Sequence, residues 1–287
     1  DRFGVETLDA AFEEMLEQTA FSLRTALSEK VPDGRYKFSD CLDGDGKNDQ
    51  SYAVSLTMEK SGEDISLDFT ESTNQATGAI NFKMDKSVPA NMLGMLLTGE
   101  DASVQMNAGF ERALKSVKLR AGSIVDPVYP AAVGMRSHTM VRVTGSLLGV
   151  LGRASDGQVS AASPVYVLYY LRSHDRLRGS YELCIEGLGV GFGARTFADG
   201  IDAVYFVAQK NYPVEFAEME FGVRIEAYRI HKDSGGPGAY RGGAGIIRDV
   251  RVLWDEAVLG LRLDNVKHPA WGIKGGHAGR PGRVIVN

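Results

Sequence analysis

Between Asp233 and Gly245 the chain reads DSGGPGAYRGGAG, six glycines in thirteen residues, directly after a stretch of apolar/polar alternation. Glycine alone enters left-handed conformations freely, and it alone lets a second backbone or an anion come into contact with its own backbone. This costs chain entropy that an ordinary turn does not need. The run therefore marks a place where strands end and something is fitted closely against a turning backbone. Read locally, it predicts a pair of hairpin turns, one around Asp233-Ser234-Gly235-Gly236 and one around Arg241-Gly242-Gly243. Gly235, Gly236, Gly238, Gly242, Gly243 and Gly245 form the structural glycine loop of that prediction.

Composition narrows the class. The chain has 287 residues, 44% of them apolar, enough for a real core. Its 34 glycines exceed the usual share of about 7% without any collagen period, so bends are numerous. A net charge of −5, with no lysine- or arginine-rich run, argues against nucleic acid as a partner. No apolar run approaches the roughly 18 residues needed to span a bilayer. The first stretch is acidic (Asp9, Glu13, Glu14, Glu17), unlike a secretory signal, which leads to the expectation of a cytoplasmic protein with no membrane partner. Cys41 and Cys184 are too few and too far apart for a disulfide framework or a zinc knuckle, and two reduced, buried thiols are expected. The first residue is Asp1, not methionine, which suits a fragment or a processed piece.

Along the chain the texture shifts. Leu8, Phe12, Met15, Leu16, Leu23, Ala26 and Leu27 recur at helical spacing, and Val31-Pro32-Asp33-Gly34 ends the pattern. Tyr52, Val54, Leu56 and Met58, then Ile65, Leu67 and Phe69, alternate on either side of residues 60–64 and predict a hairpin with one buried face. Further helices are expected over Pro89–Leu97 and Thr139–Leu151, with a strand and turns through Val117, Leu119, Ile124 and Val125 between them. After Ser160 the segments Val165–Leu171, Tyr181–Ile185, Val204–Val207, Met219–Ile230, Ile246–Leu253 and Val258–Leu263 read as strands. The expected fold class is α+β: a mixed helix and strand half over 1–159 and a predominantly antiparallel β half over 160–287, taken as two lobes of one folding unit.

The motifs that usually carry chemistry are missing. There is no GxxxxGK[ST] phosphate loop. In GLGVGFGAR the glycines at 187, 189, 191 and 193 alternate by two, which fails the dinucleotide fingerprint and predicts a bend or bulge in a sheet. Five histidines are present and none forms a close metal pair. Asp264, His268 and His277 read as a solvated loop, so no metal ligand is assigned. The polar segment LDFTESTNQATGAIN, Leu67–Asn81, is the strongest candidate site. A strand carrying Asp68 runs straight into hydroxyls and amides that could orient a polar ligand or, alternatively, cap a hydrogen-bonded turn. Asp68, Ser72, Gln75 and Asn81 are the candidate substrate-binding residues there, and Arg241 is a candidate anion contact in the glycine run.

Taken together and in order, LDFTESTNQATGAIN, MNAGFERALKSVKLRAGSIVDPVYPAAV (Met106–Val133), the glycine string followed by Asp199-Gly200, NYPVEFAEMEF from Asn211 and DSGGPGAYRGGAGIIRDVRVL from Asp233 resemble the hydantoinase B/oxoprolinase family over nearly the whole chain. The resemblance implies a component of an ATP-dependent, multi-subunit enzyme. In such a system a hydantoinase A-type ATPase subunit phosphorylates a cyclic amide of the hydantoin or oxoproline type, and the ring is then hydrolysed. Relatives carboxylate ketones such as acetone or acetophenone, and a non-catalytic scaffold subunit is a third reading. The resemblance also implies that this chain alone binds no cofactor. ATP and magnesium belong to the partner, and a divalent metal belongs to an amino-terminal part or further subunit that nothing here resembles. Glu71 stands where family members commonly carry glycine, and a carboxylate there would repel phosphate.

Overall fold

With no glycine or proline from Val5 to Lys30, the apolar spacing of the first segment is free to run as one long helix, α1 (Val5–Lys30), which Val31 ends in an extended conformation ahead of Pro32. In the computed structural model, which describes residues 2–165, 167–175, 180–205 and 210–287, the chain divides into two compact units, Asp1–Val159 and Ser160–Asn287.

In the first unit α1 is followed by β1 (Gly34–Leu42), β2 (Tyr52–Ser61) and β3 (Asp64–Asp68), paired antiparallel in that order. The β2–β3 hairpin is the one its alternation predicts, and Gly62 turns it with φ 59°. Strand β1 was not expected. Arg35, Lys37 and Ser39 alternate with the inward Tyr36 and Phe38, but Asp40 breaks the apolar series on that face before Leu42; the strand pairs with β2 residue by residue from Gly34↔Lys60 to Leu42↔Tyr52. Next come α2 (Ser87–Thr98), the short α3 (Gly109–Arg112), β4 (Ser116–Lys118), which joins β3 in parallel, and α4 (Arg136–Ala154). Helix α4 lies against β1 and β2, and Val143, Leu147, Val150 and Leu151 meet Val54, Leu56, Met58 and Leu67 in the core. Gly149 is essential to that fit, because a Cβ there would stand 2.2 Å from the ring of Phe38.

The second unit contains β5 (Val167–Asp175), β6 (Ser180–Leu188), α5 (Val214–Glu220), β7 (Val223–Ile230), β8 (Ile246–Val252) and β9 (Val258–Arg262). They form a three-stranded sheet in the order β6-β5-β9 and a two-stranded β7-β8 ladder, all antiparallel. The fold class is α+β, as expected. The strand expected from Met219 is corrected at its start. Pro213 opens a helix, Val214–Glu220, whose Glu215, Ala217, Glu218 and Met219 suit it, and the chain becomes extended only at Phe221. Of the expected Val204–Val207 strand, Val204 makes a bridge with Val190, while 206 and 207 lie outside the described residues.

The glycine run also differs from two separate hairpin turns. It is one long connection folded on itself between the paired ends of β7 and β8: His231 N donates to Gly245 O at 2.8 Å and Gly242 N to Gly236 O at 2.9 Å. None of its six glycines is left-handed; Asp233 takes that conformation instead, at φ 57°. They serve close approach, since a Cβ on Gly235 would stand 1.9 Å from Gly242 O and one on Gly243 2.1 Å from Ile201 O. The alternating glycines belong to the same crossing. Gly187 lies within β6; beyond it Val190 exchanges backbone bonds with Val204 at 2.9 and 2.8 Å. Phe192 N then donates to Ile201 O at 2.9 Å and Phe192 O accepts from Gly243 N at 2.8 Å, so a two-residue step faces a three-residue step, the irregularity of a bulge. Period-two spacing sets Gly191 and Gly193 on one side, where added methyls would meet the backbone oxygens of Gly243 and Ala161 at 1.8 and 2.1 Å.

Neither cysteine is in a disulfide. Cys184 is buried, but Cys41 is partly exposed, because the alternation of β1 that buries its neighbours Asp40 and Leu42 turns it to the other face.

Candidate functional site

The polar segment after β3 is held by other parts of the first unit. Asp68, at the strand end, accepts from Thr70 N at 2.9 Å and Thr70 Oγ1 at 2.6 Å. Burial alone would raise the pKa of its carboxyl, but the two Thr70 bonds and the nearby charges of Lys118 and Arg35 outweigh burial and lower it. Ser72 is buried and couples to the backbone of Ser55, accepting from its N–H at 3.1 Å and donating to its carbonyl at 3.3 Å. Gln75 clips Val128 with both ends of its amide: Oε1 accepts from the N–H at 2.8 Å and Nε2 donates to the carbonyl at 3.3 Å. Asn81, fully buried, accepts from Ala76 N at 2.7 Å and donates to the carbonyls of Ala76, Gly78 and Ala132 at 2.9, 3.1 and 2.9 Å. The side chains of these four predicted residues all bond to backbone, Asp68, Gln75 and Asn81 to loops and Ser72 to strand β2. Glu71 forms an exposed ion pair with Lys37, which places its charge beside a cation.

Two residues that sequence reasoning missed complete the arrangement. Arg120 spreads its guanidinium over the turn, donating from Nε to Thr70 O at 2.9 Å, from one terminal nitrogen to Asn74 Oδ1 at 2.9 Å and from the other to Ser72 O at 2.6 Å. Asp45 comes from the DGDGKND loop between β1 and β2, which reads as a solvated acidic turn, yet it is buried. Its Oδ1 accepts from Lys47 N and Asn48 N at 2.9 and 3.1 Å. Its Oδ2 accepts from Gly78 N at 2.8 Å, Thr77 Oγ1 at 3.0 Å, Tyr52 Oη at 3.1 Å and Asn48 Nδ2 at 3.3 Å. Burial pushes the pKa of this carboxyl up, but the N–H groups of Lys47, Gly78 and Asn48 with the Thr77 hydroxyl overcome that and hold it well below the ordinary range. A Cβ on Gly78 would lie 2.1 Å from Asp45 O, so only glycine lets the two loops meet. The signal available in the sequence was the pair of glycines flanking Asp45, which free the backbone to wrap around its carboxylate.

Arg241 lies in the second unit. Its terminal nitrogens grip Asp202 at 2.9 and 3.3 Å, Nε stands 3.4 Å from Asp199 Oδ2, and its backbone N–H donates to Asp199 Oδ1 at 2.9 Å. Its anion contacts are carboxylates of the adjacent loop, and Asp202 also accepts from Ala244 N at 2.7 Å. A second polar cluster in this unit was not foreseen. Glu186 of β6 accepts from Tyr169 Oη at 2.7 Å and Asn211 Nδ2 at 3.2 Å, and it stands 2.5 Å from the guanidinium of Arg248. Both charged side chains are almost wholly buried, and the Arg248 guanidinium sits 4.8 Å from the centre of the Tyr228 ring. Burial and the Glu186 charge raise the pKa of the Tyr169 hydroxyl and push the Cys184 thiol up to about 11.

Among the described residues, no group of three or more His, Cys, Asp or Glu side chains is placed to hold a metal ion. The donors among these residues do not fit the divalent metal that the resemblance implies elsewhere in the assembly. Among the same residues no helix is long and apolar enough to cross a membrane.

Comparison with known proteins supplies the context. The family model described as hydantoinase B/oxoprolinase matches residues 1–287. The B component of a putative D-/L-hydantoinase from Pseudomonas sp. (strain NS671) is 27% identical over 301 residues, covering 100% of this chain and 50% of that protein. The crystal structure of ATP-dependent caprolactamase from Pseudomonas jessenii superposes with a TM-score of 0.74 at 25% identity, covering 88% of this chain and 44% of the other. A nucleotide-free acetone carboxylase structure gives the same TM-score at 19% identity over 92% of this chain and 38% of the other, a likeness of fold. The chain spans half or less of the length of each of these proteins. A match along its entire length shows that the chain belongs to the hydantoinase B/oxoprolinase family.

Proposed function

We propose that this chain is a hydantoinase B-like subunit, or part of one, in a cytoplasmic ATP-dependent enzyme that hydrolyses a cyclic amide of the hydantoin or oxoproline type. The supporting observation is the full-length family match, together with relatives whose names refer to hydantoin and caprolactam. The chemistry suits divided labour. A lactam carbonyl is stabilised by resonance and reacts poorly with water; phosphorylation of its oxygen makes the carbon electrophilic, and water adds there. The ring C–N bond then breaks with a proton going to nitrogen, and a second water releases phosphate from the resulting acyl phosphate. An A-type ATPase partner makes that phosphate, and the metal-bearing remainder of the B-type protein joins the same assembly. In this scheme Asp68, Ser72, Gln75 and Asn81 act by fixing the polar segment's backbone, with Arg241 doing the same for the glycine crossing. Ketone carboxylation ranks second, because the acetone carboxylase likeness, at 19% identity, speaks for fold alone.

The test measures ADP release and ring opening with hydantoin, 5-oxoproline and caprolactam. The chain alone should give negligible turnover, and the chain with the A-type ATPase and the rest of the B-type protein should give ATP-dependent turnover. Tight ATP binding or unaided turnover by the isolated chain would overturn the proposal.

A further inference from the structure

Helix α1 is about 39 Å long at 1.5 Å per residue, and its buried contacts occupy only its second half. At 3.6 residues per turn, Thr19, Leu23 and Ala26 form the stripe that enters the core. The same stripe continues towards the helix start as Met15, Phe12, Leu8 and Val5, whose exposures are 41, 52, 51 and 73%. Every residue from 5 to 15 is exposed. On the far side of this half lie Glu6, Glu13 and Glu17, so the exposed stretch is amphipathic in the same sense as the buried one. The helix is gripped at its middle, where Arg112 pairs with Glu13 at 2.8 Å and Gly109 passes under Leu16, with room for no side chain beyond hydrogen. Its apolar stripe therefore continues unchanged past the point where the first unit stops covering it. Four aligned apolar side chains in water are a seat for another surface.

We propose that the exposed stripe of α1 docks against the portion of a hydantoinase B-type protein that the relatives carry beyond the stretch matched here, an inference that rests on the assembly proposed above. Length supports this occupant, since the matched stretch is 50% of the hydantoinase relative and 44% of the caprolactamase chain. Continuity supports it too: the stripe extends a packing surface already used inside the first unit. A second copy of this chain fits less well. Two such stripes, four side chains each, fall well short of the roughly 800 Å² per partner that a stable dimer buries. A segment that also contacts other parts of the protein needs no such area on the helix alone.

The experiment places a photo-cross-linking amino acid at Leu8 or Phe12 of the full protein in the cells it comes from, with Glu6 and Ala10 as opposite-face controls, and maps the products by mass spectrometry. Positions 8 and 12 should join to hydantoinase B-type sequence outside residues 1–287, on the same or another polypeptide, at least tenfold more than the controls. Products with residues 1–287, with the ATPase or with an unrelated protein, or no products at all, would overturn the proposal. With the cross-linker moved to Met15, the Leu8→Ser/Phe12→Ser double variant should lower the yield at least fivefold. It should leave the melting temperature of residues 1–287 unchanged, because both side chains are exposed; an undiminished yield also overturns it. ATP-dependent turnover is scored separately. Cross-linking without lactam or ketone turnover leaves the seat in place and removes the proposed function, and turnover without cross-linking does the reverse.

Discussion

Asp45 has six hydrogen-bond donors around one buried carboxylate, none of them from a charged side chain, and it joins the loop before β2 to the polar segment after β3. Asp45→Asn keeps the shape but turns acceptors into donors facing donors. It should destabilise the protein by about 2–4 kcal/mol, read by urea unfolding at pH 7. The sign of its pH dependence follows from a carboxyl held below its ordinary value. The stabilisation is complete above the unfolded value near 3.9 and is lost as pH falls through the folded one. The difference between wild type and Asp45→Asn should therefore shrink as the pH is lowered from 6 to 3, and a constant difference would contradict this role. At Gly191 the obstacle is backbone, with Gly243 O 1.8 Å from any added Cβ. Gly191→Ala should cost about 3 kcal/mol or more, whereas alanine at Gly46 meets open space and is strained only by its φ of 77°. Asp68, Ser72, Gln75 and Asn81 were legible as a polar cluster because their types and spacing are local. Asp45 and Arg120 were not, because what makes them central is contact with residues more than thirty positions away.

Among the elements, α4 and β1 are joined by Arg142 and Asp40, whose closest approach is 3.3 Å with both side chains almost fully buried. Asp40→Ala leaves the guanidinium in the core and should cost about 3–5 kcal/mol. Lys37→Ala, which removes an exposed pair with Glu71, should cost under about 1 kcal/mol in the same denaturant titration. Equal effects would mean that the buried pair does not hold the helix to the sheet. Element types were readable wherever the period was unbroken: α1, the β2–β3 hairpin, α2 and α4 all lie where the apolar spacing puts them. Strand β1 escaped because the charged Asp40 interrupts the inward apolar series of Tyr36, Phe38 and Leu42. Helix α5 escaped because seven residues hold barely two turns of periodicity. The glycine crossing was legible as a place of close approach, but its partners at Ile201, Phe192 and Ala161 come from segments that no local pattern connects.

Over the whole molecule, the core of the first unit is a large apolar cluster and that of the second is small, with an ion pair and a tyrosine hydroxyl beside it. Polar cores of that kind are stable only while every partner is in place. The second unit should therefore be the more sensitive of the two to loss of a single contact. Each unit holds one of the two thiols: Cys41 is partly exposed in the first, and Cys184, with its pKa pushed up to about 11, is buried in the second. The chain thus contains its own pair of chemical clocks. At neutral pH Cys41 should react with a disulfide reagent within minutes, while Cys184 waits for the second unit to breathe open, so the slow phase, at reagent concentrations where it no longer rises with reagent, reads that unit's opening rate. Two fast phases of equal rate would mean that the β6 thiol is not shielded in solution.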